Sequence, residues 1–126
     1  MAITKIYACR YWNATEIKLE VNKTYKFSST GNWKDWFVCC GAEGYSKTYL
    51  KPFEAYRRMP QAQWFSLIGS YGKDPSNFFD LGYLIAKQGG HYTATHTGEL
   101  FCFANDVPCM YWNNQGYIEL DVRQEN

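Results

Sequence analysis

The chain has almost no net charge. Its 13 Lys and Arg residues against 12 Asp and Glu among 126 residues leave a formal +1. No basic run is longer than Arg57-Arg58. A nucleic-acid binder must neutralise phosphates with a basic stripe or patch, so no nucleic-acid partner is expected. No apolar run approaches the ~20 residues that a membrane-spanning helix needs, so no membrane insertion is expected. At the N-terminus the one basic residue, Lys5, is not followed by an apolar stretch. No cleaved signal peptide is therefore expected, and residence is read as cytoplasmic, with export by a route lacking a cleaved signal left open. Cys-x-x-Cys spacing is missing as well, which argues against a zinc site. The five cysteines are Cys9, Cys39, Cys40, Cys102 and Cys109. An odd count without a signal peptide does not fit a complete disulfide framework, and they read as buried apolar residues or free thiols. There is no repeat, no linker and no low-complexity tract, so residues 1–126 read as a single domain.

Aromatic residues are plentiful: 11 Tyr, 8 Phe and 5 Trp make 19% of the chain. They favour strands and also line sugar and protein interfaces. The dominant hydrophobic period is two. Ile17, Leu19 and Val21 alternate with Glu16, Lys18 and Glu20, and Tyr25 and Phe27 continue the pattern beyond Asn22-Lys23. Ile118, Leu120 and Val122 alternate with Glu119, Asp121 and Arg123. Both runs predict half-buried strands. Weaker strand signals cover residues 33–39, 63–68, 92–97 and 99–104. Residues 81–86, apolar on both faces, predict a central strand. Residues 46–59 fit either a short helical turn or a long loop. No helical stripe of ordinary length is present. Short strands separated by Gly, Asn and Pro turns predict an all-β fold, an antiparallel β-sandwich with a jelly-roll-like arrangement.

The densest polar cluster outside the predicted strands spans residues 105–114. It holds Asn105, Asp106, Asn113 and Asn114 around Val107, Pro108, Cys109, Met110, Tyr111 and Trp112. One carboxylate with several carboxamides is an oxygen-donor set. Calcium, a hard cation taking 6–8 oxygens, suits such a set. The same residue types also make up an ordinary long hairpin loop.

The run Asn105-Asp106-Val107-Pro108, then Tyr111, Asn113-Asn114 and Gly116 resembles the site loop of the bacterial PA-I-type galactophilic lectins, calcium-dependent galactose-binding β-sandwiches. Looser likeness runs through Leu67-Ile68-Gly69 with Gly72, Asn77-Phe78-Phe79 with Gly82, Gly98-Glu99-Leu100, and residues 15–27 with Gly31-Asn32-Trp33. The resemblance implies one calcium ion as cofactor. Asp106 would be its anionic ligand, Asn113 and Asn114 would give side-chain oxygens, and Met110 a backbone carbonyl. A further carbonyl would come from Asp35 or Trp36. Two sugar hydroxyls would complete the shell, with the sugar touching Asp106, Val107, Asn113, Trp112 and Trp36. A carbohydrate is then the expected partner. Because single lectin sites are weak and gain avidity in multiples, a homo-oligomer is expected too. The sequence departs from the family in having Cys109 and Trp112 where the family has Gly. It lacks the family's galactose-contacting His, the matching region being Arg58-Met59-Pro60-Gln61. A preference other than simple galactose follows, with Trp112 either stacking on a sugar ring or filling the pocket.

Two other classes compete. A Cys/His nucleophile pair would draw on Cys102 or Cys109 with His91 or His96, and glycoside hydrolysis needs a second acid facing Asp106, from Asp35 or Glu43. Cys102 reads as core, the two His read as surface residues, and Asp106 has no obvious partner acid, so no catalysis is expected. A non-catalytic protein-interaction module on the same fold would use the aromatic stretch Trp33, Trp36, Tyr45, Tyr49, Phe53, Tyr56 and Trp64.

Overall fold

A computed structural model describes residues 2–125. Among the described residues, ten strands form two antiparallel sheets. The six-stranded sheet is built on β10 (Asn114–Glu125), the longest element. On one side β10 pairs with β1 (Ala2–Tyr7). On the other it pairs with β3 (Thr24–Thr30) and β4 (Trp33–Asp35). β5 (Val38–Cys40) extends the sheet beyond β4, and β8 (His91–Thr93) extends it beyond β3. The four-stranded sheet has the order β2 (Asn13–Leu19), β9 (Gly98–Ala104), β6 (Leu67–Tyr71), β7 (Phe79–Asp80).

Alternation places the core between the sheets. Ile6, Phe27, Ile118 and Leu120 from the large sheet meet Leu19, Leu67, Leu100 and Cys102 from the small one, all essentially buried. Burial disfavours the charged form and pushes the Cys102 thiol up. Cys102 is thus a core residue, as its neighbours in the sequence imply. The outer face of the small sheet is covered too. Ile68, Phe103 and Ala62 are buried there against Trp12, Met59 and Phe78. Over this layer lies the guanidinium of Arg58, 3.4 Å from the Phe103 ring centre and 3.6 Å from that of Tyr11.

The architecture is mainly antiparallel β, as expected, but not purely so. Residues 81–86 are not a central strand. They lie in an α-helix, α1 (Leu81–Gln88). The Asp80 carboxylate accepts the Tyr83 N–H at 3.0 Å and caps the N-terminus. Gly89, at φ 69°, supplies the left-handed stop, and its N–H reaches the Leu84 carbonyl. Leu81 and Leu84 turn inward while Tyr83 stays exposed, so the run is one-faced at helical spacing. Gly82 is required where the helix meets the loop that follows β5. A Cβ there would stand 2.0 Å from the Ala42 carbonyl oxygen. Residues 33–39 split into the β4–β5 hairpin, because Trp36 takes a left-handed conformation with φ 57°. Of residues 63–68 only the last two are strand, and of residues 92–97 only the first two. Ala2–Tyr7, which carries no strong strand signal, is an edge strand on β10. The undecided stretch holds a 3-10 helix, Thr48–Tyr56, with no buried residue.

Candidate functional site

Three segments converge at one end of the molecule: the tip of the β4–β5 hairpin, the 3-10 helix Thr48–Tyr56 with its flanks, and the β9–β10 connection. They line a groove of about 460 Å³, within the ~300–1,000 Å³ usual for ligand sites. Its polar groups are Asp35, Asp106 and Asn113, together with the hydroxyls of Tyr45, Tyr49 and Tyr56. The rest of the lining is aromatic or aliphatic.

The β9–β10 connection is fixed from behind. Asn105 is fully buried. Its amide donates to the carbonyls of Met59 (2.9 Å) and Gln63 (3.0 Å), and its Oδ1 accepts the Met59 N–H at 3.0 Å. Asn105 is therefore a structural staple rather than a groove residue. The Arg58 N–H donates to the Asp106 carbonyl at 3.1 Å. The Arg58 guanidinium donates to the Tyr11 carbonyl and the Tyr111 hydroxyl, and Tyr111 OH donates to Ala104 O. Arg58 thus occupies an aromatic cage behind the loop, not the groove. A 3-10 helix, Pro108–Asn113, then leads into β10. At its end the Trp36 N–H donates to the Asn113 carbonyl at 3.2 Å, and Asn114 pairs with Asp35 across β4 and β10.

Asp106 is only 3% exposed. Its Oδ1 accepts the Val107 N–H at 2.7 Å. Burial, followed by the charge of Asp35, pushes its carboxyl up to about 7. Asp35 is raised too, by burial first, although the Tyr45 hydroxyl donates to its Oδ2. Two carboxylates share this partly dry end of the groove. Three buried oxygens here have no partner at hydrogen-bond geometry among the described residues, Asp106 Oδ2, Asn113 Oδ1 and Asn114 Oδ1, although the Asn114 side chain lies close enough to Asp106 to work against the rise of its carboxyl. Buried polar atoms are nearly always satisfied, so three orphans in one loop call for a physical cause.

The residues singled out in the sequence do not all share one surface. Asp35, Trp36, Asp106, Val107, Met110 and Asn113 line the groove. Asn114 lies behind it, nearly buried, with its amide nitrogen donating to the Ala8 carbonyl at 3.1 Å. Trp112 is 78% exposed and does not line the groove, so it neither fills the pocket nor flanks it. Cys109 is exposed. His91 bonds Glu125 and His96 bonds Thr95, each at 2.8 Å. No group of three or more His, Cys, Asp or Glu side chains placed to hold a metal occurs among the described residues. Sequence reasoning missed Phe37, Val38 and Leu50 as lining residues. It did isolate the aromatic stretch, but as the mark of a rival function. Trp33 from that stretch is core, while Trp36, Tyr45, Tyr49, Phe53, Tyr56 and Trp64 all line the groove.

No family model and no curated protein matches the chain. Among solved structures it is similar to one described as the EclA N-terminal domain, a PllA-like lectin, with TM-score 0.67 and 16% sequence identity. That match covers 99% of this chain and 97% of the other. The chain therefore has the fold of a lectin-type domain over nearly its whole length.

Proposed function

We propose that the protein binds carbohydrate through a calcium ion and catalyses no reaction. The observation that carries this reading is the set of orphaned oxygens on Asp106, Asn113 and Asn114, beside a groove and on a lectin-type fold. The donor set is hard and all-oxygen, which fits calcium rather than a softer metal. A divalent cation would also relieve the enforced proximity of Asp35 and Asp106. Asp106, Asn113 and Asn114 would hold the ion, with the carbonyls of Met110 and of Asp35 or Trp36 as further donors. The Asp35 carboxylate, engaged by Tyr45, would act through its charge. When bound, calcium supplies a flexible coordination shell in which a sugar diol replaces water. The chain's own residues do the rest: Arg58 and Asn105 hold the loop, and Val107 and Trp36 flank the sugar. Several copies in a homo-oligomer would raise avidity.

The test is calorimetric titration of calcium, followed by a glycan array with calcium and with EDTA. Calcium heat and calcium-dependent glycan retention are expected. Retention of a protein partner in EDTA, with no calcium heat, would favour a non-catalytic interaction module instead. What favours that second reading is the aromatic exposure around the groove.

A further inference from the structure

The oxygen cluster accounts for the acids and carboxamides of the groove, but not for a cation buried in its wall. Arg57 is 8% exposed. Its Nη2 donates to the Pro60 carbonyl, while its Nε is buried with no hydrogen-bond partner among the described residues. The guanidinium lies 5.0 Å from the centre of the Trp64 ring. Trp64 Nε1 is a second buried donor without a partner. Neighbouring contacts fix Arg57 beside the groove. Tyr56 before it and Trp64 against it both line the groove, and the Arg58 N–H after it donates to the Asp106 carbonyl.

The charge of Arg57 is uncompensated. Among the described residues no carboxylate forms an ion pair with it. Glu54, on the same 3-10 helix, acts on it through space and only partly offsets burial, which pulls the guanidinium below its ordinary value. An arginine this buried is nearly always paired, because an unpaired buried charge is costly. Stacking on an indole holds the plane of a guanidinium and leaves its N–H edge open. An open fork of that kind matches a carboxylate or a sulfate through two parallel N–H···O bonds.

We infer that Arg57 is an anion-recognising residue in the groove wall, so that the preferred ligands are glycans whose bound sugar carries an acidic substituent, a carboxylate or a sulfate. This rests on the carbohydrate reading above. The two parts of such a ligand have different needs. The neutral diol goes to the oxygen cluster, whose carboxylates disfavour an anion, and the acidic group goes to Arg57. A neutral sugar leaves the guanidinium as it is, whereas an acidic one gains charge-assisted hydrogen bonds.

The test is calorimetry in calcium with the methyl glycosides of galactose, glucose and mannose, each beside its uronate and its 6-sulfate, on wild type, Arg57→Gln and Arg57→Lys. For the sugar that binds, an acidic form should be about tenfold tighter than the neutral one on wild type. A gain in either acidic form supports the inference, and the two arms tell carboxylate from sulfate. Arg57→Gln should bring the ratio down to about two or below. Arg57→Lys, which keeps the charge and loses the fork, should lower it as well, and it serves as the test if thermal melts show that Arg57→Gln does not fold. Ratios near one on wild type for both acidic forms overturn the inference. So does a ratio that the variants leave intact, since calcium itself would then hold the acid. Inorganic sulfate binding as tightly as the acidic glycoside also overturns it, because the occupant would then be a free anion. In each of these cases neutral-glycoside binding leaves the carbohydrate reading standing. If no glycoside binds in calcium, neutral or acidic, both fall together.

Discussion

Replacing Asp106 by Asn should move stability and ligand binding in opposite directions. In the calcium-free protein Asp106 is buried beside Asp35, and its carboxyl ionises near pH 7 rather than at the usual 3.8. Between about pH 4 and pH 7 the folded protein holds a proton that the unfolded chain has lost. Stability in EDTA is therefore highest below about pH 4 as far as this group is concerned, and it falls as pH rises through 7. The full penalty above pH 7 is at most about 4 kcal/mol, at roughly 1.4 kcal/mol for each pH unit between the two values. Asn keeps the shape and the oxygen that accepts the Val107 N–H, but it brings an amide that needs its own partner. A net gain of about 1–3 kcal/mol at pH 8 in EDTA is the reasonable expectation, with a rise of several degrees in Tm. At pH 5 only about 1.4 kcal/mol of that penalty has built up, from the one pH unit above the unfolded value, so the gain should shrink to about zero or below. Calcium should weaken at least a hundredfold in the variant, and any calcium-dependent glycan should be lost with it. In wild type, calcium affinity should fall about tenfold per pH unit below 7 as protons compete for the carboxylate. Differential scanning calorimetry in EDTA at pH 5 and pH 8, with calcium titrations at each, measures all of this. A variant that is less stable than wild type at pH 8 in EDTA, or that keeps wild-type calcium affinity, would refute the reasoning.

Gly82→Ala should destabilise the protein by at least 2 kcal/mol in urea melts, although helix propensity alone favours Ala by ~1 kcal/mol. The new Cβ would meet the Ala42 carbonyl oxygen at 2.0 Å, and a stabilised variant would contradict that contact. Arg58→Met should cost about 2–4 kcal/mol, because it removes the side chain's hydrogen bonds to the Tyr11 carbonyl and Tyr111 hydroxyl and its stacking on Phe103 and Tyr11. A loss below 0.5 kcal/mol by the same melts would show the cage to be incidental. Trp112→Ala should leave Tm within about 2 °C and glycan retention within twofold, since the indole stands in solvent; a large loss of retention would return Trp112 to the site.

The period-two runs at residues 15–19 and 118–122 were legible because one face of each is buried and the other wet, which is the condition that makes alternation visible, whereas Val21, expected to face inward, lies in the turn after β2 and is exposed. The helix at Leu81–Gln88 was not, since residues 81–86 are apolar on nearly every position. Its type is settled by the Asp80 cap and the Gly89 stop just outside that run. β1 was missed because an edge strand answers to its partner β10 more than to its own pattern. At the site, the likeness of residues 105–116 singled out Asp106, Asn113 and Met110, and these three do line one groove. Trp112 misled because sequence gives its neighbours but not its direction out of the 3-10 helix Pro108–Asn113. The aromatic lining came from residues 36–64, distant in sequence from the loop. The pairing of β4 with the start of β10 brings the hairpin tip to the loop, and the hydrogen bonds of Asn105 and Asp106 to residues 58–65 bring the rest.

That pairing also divides the site by how tightly each part is tied down. Asn114 is the first residue of the twelve-residue strand that joins β1, β3 and β4, and it sits at the root of the sheet's hydrogen-bonded ladder. The aromatic helix at Thr48–Tyr56 buries nothing and hangs on its two flanks. Substitutions in a segment with no buried residue are nearly free of folding consequences, whereas those in the ladder are not. A lineage carrying this fold can therefore rewrite what the groove accepts through residues 48–56 while the oxygen cluster stays constant. Amide exchange should record the same asymmetry, slow across Asn114–Glu125 and fast across Thr48–Tyr56.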